Sequence, residues 1–278
     1  MKRLLLLLLP FTMISAYGQT KELTLERAVM GFNSEDTTSL HPNRLSGIRW
    51  VSGSNAYAYS INRSKGLVVV NNGLNDTVKL QDVMTSSGLS LRHIPLKQWI
   101  STDAFIFVHK SIYYSYNRLT KKTEVLLTCK EGAQNRDYHL ASNQCAITVN
   151  QNLYVASSTD KMGVVTHFSN KDFVAGQAIA RYEFGISKGT FWSRDGKQLA
   201  FYQKDESEVH DYPLLDMTKT PGELRTIKYP MAGQKSELAK VGIYNASTKK
   251  TIYLNTTNSG LGEEHYLTNL TWDPTNQY

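Results

Sequence analysis

Apolar and polar positions alternate in short runs through most of this 278-residue chain. Tyr57-Ala58-Tyr59-Ser60-Ile61, Leu67-Val68-Val69-Val70, Phe105-Ile106-Phe107-Val108 and Ile112-Tyr113-Tyr114-Ser115-Tyr116 are β-branched or aromatic runs of strand length. Ala146-Ile147-Thr148-Val149, Leu153-Tyr154-Val155, Val164-Val165-Thr166-His167, Val241-Gly242-Ile243-Tyr244 and Thr251-Ile252-Tyr253-Leu254 continue the series. Clusters of Gly, Asn, Ser and Asp separate them, and no segment after Met30 sustains a 3.6-residue period, so the chain reads as all-β. The exception comes first. Residues 23–30 read as a short helix, with Thr24 as a cap and Gly31 as a stop, followed by a polar linker from Asn33 to Asn43.

The four tryptophans share one setting. Trp50-Val51-Ser52 precedes Ala56-Tyr57-Ala58-Tyr59, and Trp99-Ile100-Ser101 precedes Phe105-Ile106-Phe107. Trp192-Ser193-Arg194-Asp195-Gly196 precedes Leu199-Ala200-Phe201-Tyr202, and Trp272-Asp273-Pro274-Thr275-Asn276 is followed only by Gln277-Tyr278. His139-Leu140-Ala141-Ser142 before Ala146-Ile147-Thr148 is a further copy without the tryptophan, about 40 residues after Trp99. A strand–turn–strand unit recurring at 40 to 50 residues suits the four-stranded blades of a β-propeller better than the turns of a sandwich. The expectation is a partial propeller of about four to five blades, its last unit interrupted at Tyr278.

The N-terminus changes the picture of where the chain resides. Lys2 and Arg3, the apolar stretch Leu4 to Leu9 and the small-x-small site Ala16-Tyr17-Gly18 form a signal peptide, with Gln19 as the mature start. The expected division is a signal peptide at 1–18, a helix and linker at 19–45 and the propeller at 46–278. The leader is too short to span a bilayer and no other apolar run is longer, so no membrane span is expected. An exported protein, periplasmic or secreted, follows. The formal charge is +7, or +5 without Lys2 and Arg3, and no run of five or six basic residues suggests nucleic acid. The only cysteines, Cys129 and Cys145, give no zinc pattern, and sequence leaves open whether they are bonded. The seven histidines are dispersed and no phosphate-cradling loop occurs, so neither metal nor cofactor is expected.

From Ala180 onward the motifs become specific. Tyr182-Glu183-Phe184-Gly185-Ile186 leads to Gly189-Thr190-Phe191-Trp192-Ser193-Arg194-Asp195-Gly196. Leu199-Ala200-Phe201-Tyr202-Gln203-Lys204-Asp205-Glu206-Ser207, Asp211-Tyr212-Pro213-Leu214 and Tyr229-Pro230-Met231-Ala232-Gly233 follow. This succession resembles the N-terminal propeller of the dipeptidyl peptidase IV branch of the prolyl oligopeptidase family, bacterial dipeptidyl and prolyl tripeptidyl peptidases above all. The resemblance implies an eight-bladed propeller over an α/β-hydrolase domain, with a homodimer as an option for the full-length form. It further implies release of N-terminal di- or tripeptides, typically after proline, from peptide substrates with a free N-terminus.

In that family a glutamate segment of the propeller holds the substrate amine, and Glu183 stands at its place. An ammonium entering a partly desolvated cleft needs a fixed anion, and its anchoring sets which bond reaches the nucleophile. Many members carry adjacent glutamates there, whereas Glu183 lies between Tyr182 and Phe184. Asp205 or Glu206 is the candidate second contact; their alternative roles are capping a turn and pairing with Lys204. The pair Glu263-Glu264 reads as a solvated loop.

Gly185-Ile186-Ser187-Lys188-Gly189 fits a nucleophile motif, and Asp216 and His265 complete a formal triad order. A nucleophile elbow needs a strand before it and a helix after it, whereas a β-blade turn follows here, so no catalytic residue is expected in this chain. Two other classes stay open: a stand-alone, non-catalytic binding propeller, and a truncated product without independent activity.

Overall fold

The computed structural model describes residues 24–30, 45–158, 160–256 and 267–275. The expected signal peptide, Gly31, the linker, Glu263-Glu264 and His265 lie outside them. The chain divides into two compact units, Met1–Leu45 and Ser46–Tyr278. In the first, α1 (Leu25–Met30) begins with the Ala28 N–H donating to the Thr24 carbonyl at 2.8 Å. Glu26 in its first turn faces the positive end of the helix dipole.

The second unit is built from antiparallel sheets, three of four strands and one of five, with one further hairpin. The first comprises β1 (Ser46–Trp50), β2 (Tyr57–Ile61), β3 (Gly66–Asn71) and β4 (Leu74–Lys79). After α2 (Leu80–Ser87) comes the second, β5 (Leu96–Trp99), β6 (Ala104–His109), β7 (Ile112–Asn117) and β8 (Lys122–Thr128). The third is β9 (Gln134–His139), β10 (Gln144–Val149), β11 (Asn152–Ala156) and β12 (Gly163–Val164). The fourth runs β13 (Phe173–Ala175), β15 (Gln198–Asp205), β18 (Leu238–Asn245), β19 (Lys250–Tyr253), and β14 (Thr190–Trp192) also pairs with β15. The hairpin β16 (Asp211–Asp216) and β17 (Glu223–Lys228) forms a separate two-stranded sheet between β15 and β18.

The core consists of layers between successive sheets. Val69 and Val83 pack with Trp99, Phe105 and Phe107 between the first and second. Ile106, Tyr113, Cys145 and Ile147 fill the space between the second and third, and Leu153, Leu199 and Phe201 that between the third and fourth. A fully buried Phe or Leu here contributes roughly 1.5–3 kcal/mol. Each sheet thus buries its faces against its chain neighbours, the nearest-neighbour arrangement of a repeat fold. This is the expected partial β-propeller.

The tryptophan repeat has a physical meaning. Trp50, Trp99 and Trp192 are each the last residue of a strand, and His139 takes that position in the third sheet. Trp192 donates its indole N–H to the Asp137 carbonyl of β9 at 2.9 Å, and Trp272 donates to Phe191 of β14 at 2.8 Å. Each of these two indoles thus bonds to a strand earlier in the chain, whereas the buried Trp99 indole N–H has no hydrogen-bond partner among the described residues. Trp99 is buried among residues of the first sheet, while Trp50, on the edge strand β1, is 75% exposed.

Two elements differ from expectation. The helix α2 was not anticipated, because Leu80, Val83 and Met84 supply apolar positions for little more than one turn. Leu80 and Val83 are buried, and Gly88 ends the helix at φ 69° with its N–H on the Met84 carbonyl. The expected strand through His167 stops at Val164. There the Thr166 hydroxyl accepts the Leu153 N–H at 2.9 Å and donates to Asn152 Oδ1, so a side chain replaces the ladder.

Candidate functional site: a pinched loop carrying Glu183

β15 has two partners along one edge. Its residues Leu199 to Phe201 pair with β14, and Gln203 to Asp205 pair with β13. Between those strands the chain leaves the sheet as a loop, residues 176–189. Tyr202 lies at the junction and closes the loop: its carbonyl accepts the Gly176 N–H at 2.9 Å, and its N–H donates to the Gly189 carbonyl at 3.0 Å. The two feet touch. A Cβ on Gly189 would lie 2.1 Å from the Gln177 carbonyl oxygen, so glycine is required there by space. A compact surface loop with joined ends is a frequent carrier of binding groups.

Apolar feet hold the loop down. Ile179 and Ile186 are buried with Tyr202 and Val241. Between them stand a 3₁₀ turn, Ala180–Tyr182, and then Glu183. The Glu183 N–H donates to the Ala180 carbonyl at 2.8 Å, and its carbonyl accepts the Ile186 N–H at 3.0 Å. Its backbone is therefore fixed on both sides while its side chain is exposed. Ala180, Tyr182 and Phe184 have φ of 49°, 66° and 55°, and Gly185 has 75°. Left-handed backbone at bulky residues is costly, and such strain concentrates at functional sites. Tyr182 and Phe184, its neighbours in sequence, are both exposed. An exposed carboxylate on a fixed backbone can accept an ammonium group.

The loop is also tied to its neighbours. The Ala180 N–H donates to Glu237 Oε1 at 2.7 Å, which places a second carboxylate under the 3₁₀ turn. Lys188 Nζ and the Thr190 hydroxyl each lie 3.0 Å from Asp137 Oδ2 on β9, and the Lys188 ammonium stands 5.3 Å from the Phe191 ring centre. These supports had no signal in the sequence: Glu237 is 57 positions from Ala180 and belongs to no local motif.

Asp205 and Glu206 sit at the far end of β15 and are engaged there. Asp205 Oδ1 accepts the Ser207 N–H at 2.9 Å. Glu206 is buried, with Oε1 2.8 Å from Lys204 Nζ. The three glutamate and aspartate candidates thus do not form one cluster. Among the described residues no group of three His, Cys, Asp or Glu could hold a metal. Ser187 is exposed in the loop, with β14 rather than a helix after it, and Asp216 lies on β16 with Oδ1 on Thr218. Among the described residues no helix is long and apolar enough to cross a membrane.

Comparison with known proteins places the fold in a family. A crystal structure of a putative dipeptidyl aminopeptidase IV from Bacteroides ovatus shares 33% identity over 87% of this chain, with a TM-score of 0.70, and the match spans 34% of that protein. Porphyromonas gingivalis dipeptidyl peptidase 4 shares the fold at 20% identity and a TM-score of 0.60, over 76% of this chain and 33% of that one. A probable dipeptidyl-aminopeptidase B from Neurospora crassa is 21% identical over 92% of this chain and 32% of its own length. One from Talaromyces marneffei is 26% identical over 47% of this chain and 16% of its own length. The chain therefore spans about a third or less of the length of these relatives. The family model for the dipeptidyl peptidase IV (DPP IV) N-terminal region matches residues 105–278, and the chain belongs to that family.

Proposed function

We propose that this chain is the substrate-gating and amine-recognition portion of an exported serine exopeptidase that releases N-terminal di- or tripeptides, typically after proline. The catalytic serine belongs, in this reading, to an α/β-hydrolase domain outside these residues. Glu183 is the anchor for the substrate ammonium. The observation that supports this most is the fixing of Glu183 by both its backbone groups on a loop pinched shut at Tyr202, with its carboxylate left exposed. An anchor held in this way sets the distance from amine to scissile bond, which is what separates an exopeptidase from an endopeptidase. Asp205 and Glu206 are not assigned to the substrate, because their carboxylates are taken by the Ser207 turn and by Lys204.

The test is Glu183→Gln in a protein that carries this chain together with the hydrolase domain. Loss of a charge-assisted contact to the substrate ammonium is worth roughly 2–4 kcal/mol, or about 30- to 1000-fold in kcat/KM on a peptide with a free N-terminus. An N-acetylated peptide lacks the ammonium and is expected to respond little. Equal losses on the two substrates would assign Glu183 to the fold and refute the reading. Export is checked separately, by sequencing the mature N-terminus, expected at Gln19.

A further inference from the structure

The space between the second and third sheets holds both cysteines of the chain. Cys129 directly follows β8, its N–H donating to the Ser111 carbonyl at 2.8 Å. Cys145 is on β10, opposite Tyr138 of β9 and Ala156 of β11. Both belong to one apolar cluster with Ile106, Tyr113, Leu127 and Ile147, at 3% and 0% exposure. Both thiols are unbonded in the structure and near enough to each other to interact, and the Tyr113 hydroxyl lies 3.5 Å from Cys145 Sγ. No descent from local sequence predicts this meeting, since the residues come from different sheets.

We propose that Cys129 and Cys145 form a disulfide that ties the second four-stranded sheet to the third. It would add a covalent link between two layers that are joined by side-chain packing and by the hydrogen bonds of Arg136 to Lys110 and Ser111 and of Asn143 to Leu126. The chemistry is ordinary exchange with an external disulfide. The thiolate of one cysteine attacks one sulfur of the oxidant and releases one thiol. The sulfur of the other then attacks the protein side of the mixed disulfide and releases the second. Two S–H bonds are lost, one S–S bond forms, and the oxidant takes up two electrons and two protons.

Burial also says what kind of disulfide this is. Redox sensors use accessible thiols, and these are enclosed. The bond forms while the chain folds, before the layer closes, and once closed it is shielded from small reductants. It is structural, and it stands independently of the amine-recognition reading.

The experiment is to refold the full 278-residue chain in a mixture of reduced and oxidised glutathione, then denature, alkylate and weigh it. The expected product is a monomer with no alkylated cysteine and a cross-linked peptide containing Cys129 and Cys145. Its melting midpoint is expected to exceed that of the protein refolded in reductant by about 5–10 °C, the effect of closing a loop of this size in a domain of this size. Two alkylated cysteines, a glutathione adduct on one of them, or a cross-link only between chains would overturn the proposal. The thiol count is made on the parent and needs no variant. As a second measurement, Cys129→Ser/Cys145→Ser is expected to melt at one temperature in both buffers; a difference between buffers that persists in that variant would assign the shift to something other than this bond.

Discussion

Glu206 offers a direct test of how the fourth sheet is held together. Its carboxylate and the Lys204 ammonium are 2.8 Å apart, with side chains 10% and 9% exposed. At an effective dielectric constant of about 20, two unit charges at that distance attract by roughly 6 kcal/mol. Each ion lost several kcal/mol of hydration on entering the protein, so the intact pair contributes little net stability. Removing one partner is a different matter, because the other charge stays buried. Glu206→Gln keeps the shape and leaves Lys204 facing a neutral amide, and is expected to cost about 3–5 kcal/mol. At 2–4 °C per kcal/mol that is a fall of roughly 6–20 °C in melting midpoint, read by circular dichroism. The double variant Lys204→Met/Glu206→Leu removes both charges and is expected to recover most of the loss. A Glu206→Gln protein within about 0.5 kcal/mol of the parent would refute the argument, and so would a double variant as unstable as the single one. If Glu206 served the substrate instead, Glu206→Gln would lower kcat/KM in a hydrolase-bearing protein without moving the midpoint.

Gly189→Ala is expected to destabilise by about 2–4 kcal/mol and to speed proteolytic nicking between Gly176 and Gly189, since its methyl would lie 2.1 Å from a backbone oxygen; an unchanged midpoint would show that the feet of the loop have room. The alkaline limit of stability is set by tyrosines. Burial holds the hydroxyls of Tyr113, Tyr116, Tyr202, Tyr244 and Tyr253 above their ordinary range, and pushes Tyr138 up to about 12. A raised folded-state value means that the folded chain binds more protons, so this stability is complete below about pH 10 and is lost as pH rises towards 12 and beyond. In the Cys129→Ser/Cys145→Ser variant, which has no thiol to titrate, melting midpoints from pH 8 to 12 are expected to fall only above pH 10, with tyrosinate absorbance rising together with unfolding; free titration of all tyrosines in the folded protein would contradict this.

The strands were legible because their residues are of the kinds that pack on two faces. Phe105-Ile106-Phe107 is buried at every position between two sheet neighbours, and no helix period competes with it. The Trp turns were legible as a repeat, but not their purpose, since the acceptors of Trp192 and Trp272 lie 55 and 81 positions away. α2 escaped because one turn of apolar spacing is indistinguishable from a buried strand end. At the candidate site, Glu183 was found through its place in an ordered set of motifs. Nothing local told that Tyr202 would serve both feet of the loop, because its two bonds use backbone groups that every residue has. For Asp205 and Glu206, the turn and the Lys204 partner were among the readings open from sequence. Their partners, and burial in the case of Glu206, distinguish them from substrate contacts.

The division of one strand position between β13 and β14 explains how a rigid sheet can carry a strained loop. A loop inserted within a continuous strand would break its ladder. Here β15 keeps partners along its length on both edges: β18 pairs with it from Gln198 to Asp205, while β13 and β14 take turns on the other side. Tyr202, between their registers, bonds the two feet, so the interruption leaves no backbone group of that residue without a partner. Left-handed residues at Ala180, Tyr182 and Phe184 cost on the order of 1–3 kcal/mol each, which a free loop would relieve by changing conformation. Ile179 and Ile186, buried on either side, deny it that freedom, and Glu237 holds the turn from beneath. The strain is confined to the exposed arc that bears Glu183, and the sheet below supplies the packing that maintains it.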